Sequence, residues 1–332
     1  MPSAPRAILL RGCRRRAAQR PWGRGRRVET ASIQIEIFLL TGIGFFCGRR
    51  GMLSSKTREQ LIDLLFAVIL PASILDSFQV ELTPTVIEQT LGAFLVSCGI
   101  QVFYWLWNHV FYRGTSPDHR VCLRYATMVS NAGLIGMPIA AAYFGSRGLL
   151  LASIFLIPQR VFMWSYGLSM FTDSSGRDVL RKLATHPCIV SIGIGIGVMG
   201  LYTAGVQLPA PVTATVSALS DCSTALGMVA VGGILSDCRL RDVVNREVLT
   251  YSLYRLVLIP LCVAGLLLAL PVDPLTAQVS ILLTAMPAAS TTAMLAAKYR
   301  GDAPFASELV LSSTLLSLVT VPGVCTALSL VW

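Results

Sequence analysis

Charge is what this sequence lacks most. Only 13% of its 332 residues are Asp, Glu, Lys or Arg, about half the share of a soluble domain, which is too little to coat a water-soluble globule of this length. Histidine occurs three times, at His109, His119 and His186, each in or beside a loop. None of the nine cysteines belongs to a CxxC pair. No metal site is expected, and the cysteines, most of them inside apolar runs (Cys98, Cys222, Cys262, Cys325), read as small packing residues. A glycine-rich nucleotide loop is missing too, as is any pairing of nucleophile and base within the apolar runs. Neither ATP drive, an organic cofactor nor catalysis is expected of this chain.

What the chain has instead is apolar length. Hydrophobic residues make up 54% of it and the mean hydropathy is +0.67. Apolar runs of about 17 to 25 residues, long enough to cross a bilayer, recur ten times. They lie near 32–48, 60–80, 89–111, 122–144, 149–171, 187–205, 212–236, 248–270, 275–297 and 306–331. The expected fold is an all-α polytopic membrane protein with ten transmembrane helices. Tyr104, Trp105, Trp107 and Tyr112 fall where the third span reaches the interface, and read as an aromatic belt.

The formal charge of +10 is not gathered on one soluble face, so nucleic acid is not an expected partner and membrane lipid is. Loops after the odd-numbered spans carry fifteen basic residues, from Arg49 to Arg300, whereas the loops on the other side carry one, Arg147. By the positive-inside rule the odd loops are cytoplasmic and both termini external, in a plasma or cell inner membrane. Nine arginines in the first 27 residues oppose that assignment locally. Residues 1–30 are read as a basic tail, either from a start placed upstream of the real one, with Val28 a candidate initiator, or as a disordered extension.

Two of the spans are interrupted. SNAGLIGMPIA (Ser130 to Ala140) and AMPAASTTAMLA (Ala285 to Ala296) place Gly, Pro and small polar residues in the middle of apolar runs. Backbone groups freed in this way are tolerated only where they face protein, water or a ligand. Matching breaks in the two halves of a chain point to an inverted repeat, with a substrate site between discontinuous helices near the bilayer midplane. The expected organisation is a first five-helix repeat over 31–172, a connector over 173–186 and a second, inverted five-helix repeat over 187–332. The connector reads equally as an amphipathic helix or as an ordinary basic loop. Mid-helix Pro71 in span 2 and Gly227 in span 7 extend the correspondence between the halves.

These motifs resemble a known family. LPASIL after Ile69, SNAGLIGMP, LSDCSTALGMVAVGGIL and AMPAASTTAMLAAKY are similar to the auxin efflux carriers, membrane transporters that include bacterial permeases for malate and malonate as well as plant auxin exporters. The resemblance implies two inverted five-helix repeats, a scaffold of spans 1, 2, 6 and 7 that also joins a homodimer, and a moving domain of the other six with crossovers at spans 4 and 9. Asn131, Gly133 and Pro138 fall on the first crossover, and Pro287 on the second. Many relatives place an Asn shortly after that second proline, whereas this chain has Ser290, Thr291 and Thr292, hydroxyls that offer one donor where an amide offers two.

The implied function is secondary transport of small organic anions, carboxylates such as malate, malonate or auxin-like acids, by elevator-type alternating access. Proton or sodium coupling is left open. The nearest rival, a sodium/proton antiporter or sodium-coupled symporter of the same architecture, would want paired carboxylates beside the crossover, and spans 4 and 9 hold none. Asn131 reads either as a substrate donor or as a backbone surrogate at the break. Pro138 can open a half-helix whose positive end faces an anion. Arg160, mid-span and too deep to reach water, reads as a substrate ligand or as half of a structural pair. Arg255, two turns inside span 8, is expected to snorkel. Asp221 and Asp76 are the coupling candidates, with interface placement the plainer reading for Asp76.

Overall fold

The computed structural model describes residues 26–171, 181, 184–236, 245–299 and 302–331. The basic tail before Arg26 and most of the expected connector lie outside them. Among the described residues the regular structure is helical throughout, apart from one two-residue backbone pairing. The helices are α1 (Arg26–Arg49), α2 (Ser55–Ser77), α3 (Pro84–Phe111), α4 (Pro117–Met128) and α5 (Ala132–Phe162). After them come α6 (Pro187–Thr203), α7 (Ala210–Leu235), α8 (Arg246–Ala269), α9 (Pro274–Thr284), α10 (Thr291–Lys298) and α11 (Ala303–Val331). Six of these, α2, α3, α5, α7, α8 and α11, are long and apolar enough to cross a membrane. The chain is a multi-pass membrane protein.

Helix starts are written locally. Thr83, Ser116 and Asp273 each accept a hydrogen bond from the backbone N–H three residues on, and each is followed by a proline at the first helical position. The side chain satisfies an orphan N–H, and proline occupies a position where its own missing N–H costs nothing. Proline inside a span is handled differently. Pro71, Pro138 and Pro260 each stand two residues after a π-helical turn, at Leu65–Ile69, Ala132–Gly136 and Tyr254–Leu258. Widening the helix by one residue moves away the carbonyl against which the ring would clash, so the helix continues.

Two groups of helices result. α1 packs along α7, with Gly44 against the Val229 backbone and Gly232 against the Thr41 carbonyl, so close that a Cβ at either glycine would overlap main chain. Small residues at helix crossings permit such approach in lipid. α2 lies against α7 and α6, where Phe78 fills the space over Gly195. The second group comprises α3, α4, α5 and α8 to α11. His119 at the start of α4 ties three of these together, reaching Glu247 of α8 at 2.8 Å and Asp302 before α11 at 3.2 Å while stacking on Phe305.

The expected span at 275–297 is two helices, α9 and α10, separated at 285–290, and that at 122–144 is α4 and the first half of α5, separated at 129–131. Gly145, with φ 65° and ψ −160°, breaks the helical path within α5, where the sequence divides spans 4 and 5. The aromatic belt needs correction. Trp105 is exposed, but Tyr104, Trp107 and Tyr112 are buried, Tyr112 bonding the Thr127 hydroxyl at 2.9 Å.

Candidate functional site

The two breaks meet. Ser130 and Ala288 form an antiparallel backbone pair, flanked by Asn131 N–H donating to the Pro287 carbonyl at 2.8 Å and Ala289 N–H donating to the Val129 carbonyl at 3.2 Å. Each extended segment thus satisfies the other's freed groups, as a non-helical stretch at membrane depth requires. Side chains of the second break pack directly on Gly136, where a Cβ would come within 2.7 Å of the Leu283 Cδ2 and 3.0 Å of the Met286 Cγ.

Side chains complete the crossing. Gln159 of α5 donates from Nε2 to the Ser130 carbonyl and accepts from the Ser130 hydroxyl, both at 2.9 Å. Ser313 of α11 accepts from Ala288 N–H at 3.2 Å. Arg255 of α8 is 0% exposed. It donates to the carbonyls of both interrupted spans, from Nε to Met286 at 3.0 Å and from Nη1 to Thr127 at 3.1 Å, with its guanidinium over the Tyr104 ring. The snorkelling expectation for Arg255 is therefore overturned: the carbonyls released at the breaks hold it inside the bundle.

Beside the crossing opens a cavity of about 660 Å³, walled by α2, the first turn of α5, the later part of α5, α10 and α11. Ser130, Asn131, Ser290 and Thr291 form its polar floor; Phe66, Leu134, Met163 and Met294 supply apolar wall; Arg58, Glu59 and Asp63 stand with Ser55 along α2. The first turns of α5 and α10 both border it. N–H groups in a first helical turn have no intrahelical partner and present the positive end of the helix dipole. Thr291 also accepts from the Tyr125 hydroxyl at 3.1 Å.

Arg160 lines the same cavity. It is 6% exposed, its Nη2 approaches the Met137 sulfur at 4.0 Å, and its Nη1 is shielded from solvent with no hydrogen-bond partner among the described residues. A buried guanidinium with an unused donor and the first turns of two helices therefore border one cavity. His186, the residue before α6, borders the cavity too.

Of the residues singled out in the sequence, the structure brings Asn131, Gly133, Arg160, Ser290 and Thr291 to one cavity. Pro138, Pro287 and Thr292 are not among its lining. Pro138 faces α7, its carbonyl accepting from Thr224 at 3.3 Å. Pro287 contributes its carbonyl to the crossing, and Thr292 is 0% exposed, its hydroxyl without a hydrogen-bond partner among the described residues. The two coupling candidates lie elsewhere. Asp221 is exposed on α7, and Asp76, at the end of α2, accepts from the Ser217 hydroxyl at 2.7 Å and from Gln79 at 3.4 Å.

The sequence profile described as "Membrane transport protein" matches residues 32–178 and 174–325. The chain belongs to this family, the auxin efflux carriers. Among similar proteins, an uncharacterized transporter of Methanothermobacter thermautotrophicus is 26% identical over 297 residues, 87% of this chain and 95% of the relative. Another, the uncharacterized transporter YfdV of Escherichia coli, is 23% identical over 300 residues, 87% and 94% of the two chains. As an auxin efflux carrier family member the chain is a membrane transport protein.

Sequence reasoning missed Gln159, Arg255 and His186 as parts of the carrier's crossing and cavity. The signal for the first two was present in the breaks themselves, since each strands carbonyls that need a buried donor.

Proposed function

We propose that the chain is a ten-span secondary active transporter of small organic anions, in which the cavity beside the crossing receives the substrate carboxylate. The observation that carries this reading is the unused Arg160 Nη1 at a cavity floored by Asn131, Ser290 and Thr291. A buried cation without a counter-charge is costly in a membrane, and an incoming anion relieves that cost. The packing of α1, α2, α6 and α7 as one group supports a scaffold against which the crossing-bearing group slides. The cavity is bordered by residues next to the basic loops, Ser55, Arg58 and His186, which fits an inward-facing state with external termini. Uptake into proteoliposomes, scanned over dicarboxylates and aromatic acids, tests the reading. A carboxylate accumulated by the parent and not by Arg160→Gln is expected; equal uptake by both would remove Arg160 from the site.

A further inference from the structure

Three features outside the crossing invite a role: the His119 cluster at the helix starts, the Asp76 network at the far end of α2, and His186 at the cavity. His119 already has both ring nitrogens engaged by carboxylates, and Asp76 is held by Ser217 and Gln79. His186 is different. It stands at the N-cap of α6 without capping it, borders the cavity that Arg160 borders, and its Nδ1 is shielded from solvent with no hydrogen-bond partner among the described residues.

We propose that His186 takes up a proton when a carboxylate binds beside Arg160 and gives it up when the carboxylate leaves, so that the cavity loads anion and proton together. This inference rests on the reading of the cavity as an organic-anion site. In the empty cavity a proton on His186 would set a second positive charge near the uncompensated Arg160, out of bulk water. Burial pushes the imidazole down to about 4, and the Arg160 guanidinium adds to the shift. A bound carboxylate neutralises Arg160, which removes the second effect, and its own negative charge offsets the cost of burying an imidazolium, the larger effect. The other charged or titratable groups facing this region are Arg58, Glu59 and Asp63 of α2 and the neighbouring Cys188 of α6. The described lining from α7, α10 and α11 contains no titratable side chain. The three α2 groups are at least partly exposed. The proton comes from water at the cavity mouth and returns there.

The sign of the pH effect follows by linkage. If the occupied cavity returns His186 to its ordinary 6.5 from about 4, anion affinity rises as pH falls between those values, by up to tenfold per unit. The anion raises proton affinity by the same factor as the proton raises anion affinity.

The test is calorimetric titration of the purified full-length protein with benzoate, which stays ionised over the range used, in buffers of different ionisation heat. The parent should bind about tenfold more tightly at pH 5.5 than at pH 7.5 and take up close to one proton per benzoate at pH 5.5. His186→Gln should keep binding, lose the pH dependence and take up none; His186→Asn serves the same purpose should the glutamine variant not purify. Benzoate binding by the parent without proton uptake overturns the pairing and leaves the anion site standing. So does undiminished uptake in either variant. Failure of the parent to bind benzoate or to transport any carboxylate removes the anion site, and the pairing with it.

Discussion

Arg255 donates from Nε to the Met286 carbonyl at 3.0 Å, where no part of either residue reaches solvent. The same guanidinium holds the Thr127 carbonyl at 3.1 Å, so one side chain of α8 spans both interrupted segments. Arg255→Met strands both carbonyls and loses the contact with Tyr104. The expected destabilisation is roughly 3 kcal/mol, seen as a fall in the thermal unfolding midpoint of the detergent-solubilised protein. Arg255→Lys, a point charge without the planar fork, recovers about half of that.

Arg160 is expected to matter for transport rather than for folding, because it has no carboxylate partner among the described residues whose loss would leave a buried charge behind. Arg160→Gln should insert normally, unfold no lower than the parent and transport almost nothing. Arg160→Lys keeps the charge but not the second donor, and should retain a measurable fraction of uptake. Comparing initial rates with midpoints separates the two effects.

Asn131, Thr291 and Thr292 make a graded set. Asn131→Ala should weaken anion binding by about 10- to 150-fold, the equivalent of roughly 1.5 to 3 kcal/mol for a hydrogen bond to a charged group, and Thr291→Val by less. Thr292→Val should leave binding unchanged and raise the unfolding midpoint slightly, since a buried hydroxyl without a partner is replaced by a methyl of the same shape. Titration of the three purified variants with one transported acid gives the order.

Gln159→Glu adds a negative charge to the cavity while retaining shape. The carboxylate still accepts from the Ser130 hydroxyl but no longer donates to the Ser130 carbonyl, and it brings a negative charge to the cavity that Arg160 lines. Anion binding should be lost at neutral pH. Gln159→Leu, by contrast, should cost about 1 to 2 kcal/mol of stability and keep Arg160 available, so that binding weakens without vanishing.

The breaks were legible because Gly, Pro and Asn stand out in apolar runs, and a spanning segment has few physical reasons to contain them together. Their closing partners were not. Arg255 lies two turns from a helix end, where lysines and arginines commonly reach for water, and nothing in one dimension shows that Met286 and Thr127 present carbonyls to it. Gln159 carries no signal of its own in the sequence; its partner is Ser130, 29 residues earlier. Tyr104, Trp107 and Tyr112 have the composition of an interfacial belt, and only the packing of α8 against α3 turns them inward, beneath Arg255 and around Thr127. Thr292 was grouped with Ser290 and Thr291 by spelling, and the turn of α10 parts them.

The Ser130–Ala288 crossing is written in main chain. Its bonds, Asn131 to Pro287 and Ala289 to Val129, need a backbone N–H or C=O from each partner and nothing from a side chain. Substitution at Asn131, Ser290 or Thr291 therefore leaves these two bonds intact. Recognition and architecture are thereby uncoupled at the point where they sit closest. A lineage can exchange one polar side chain for another at the second break and inherit the same joint with a different appetite.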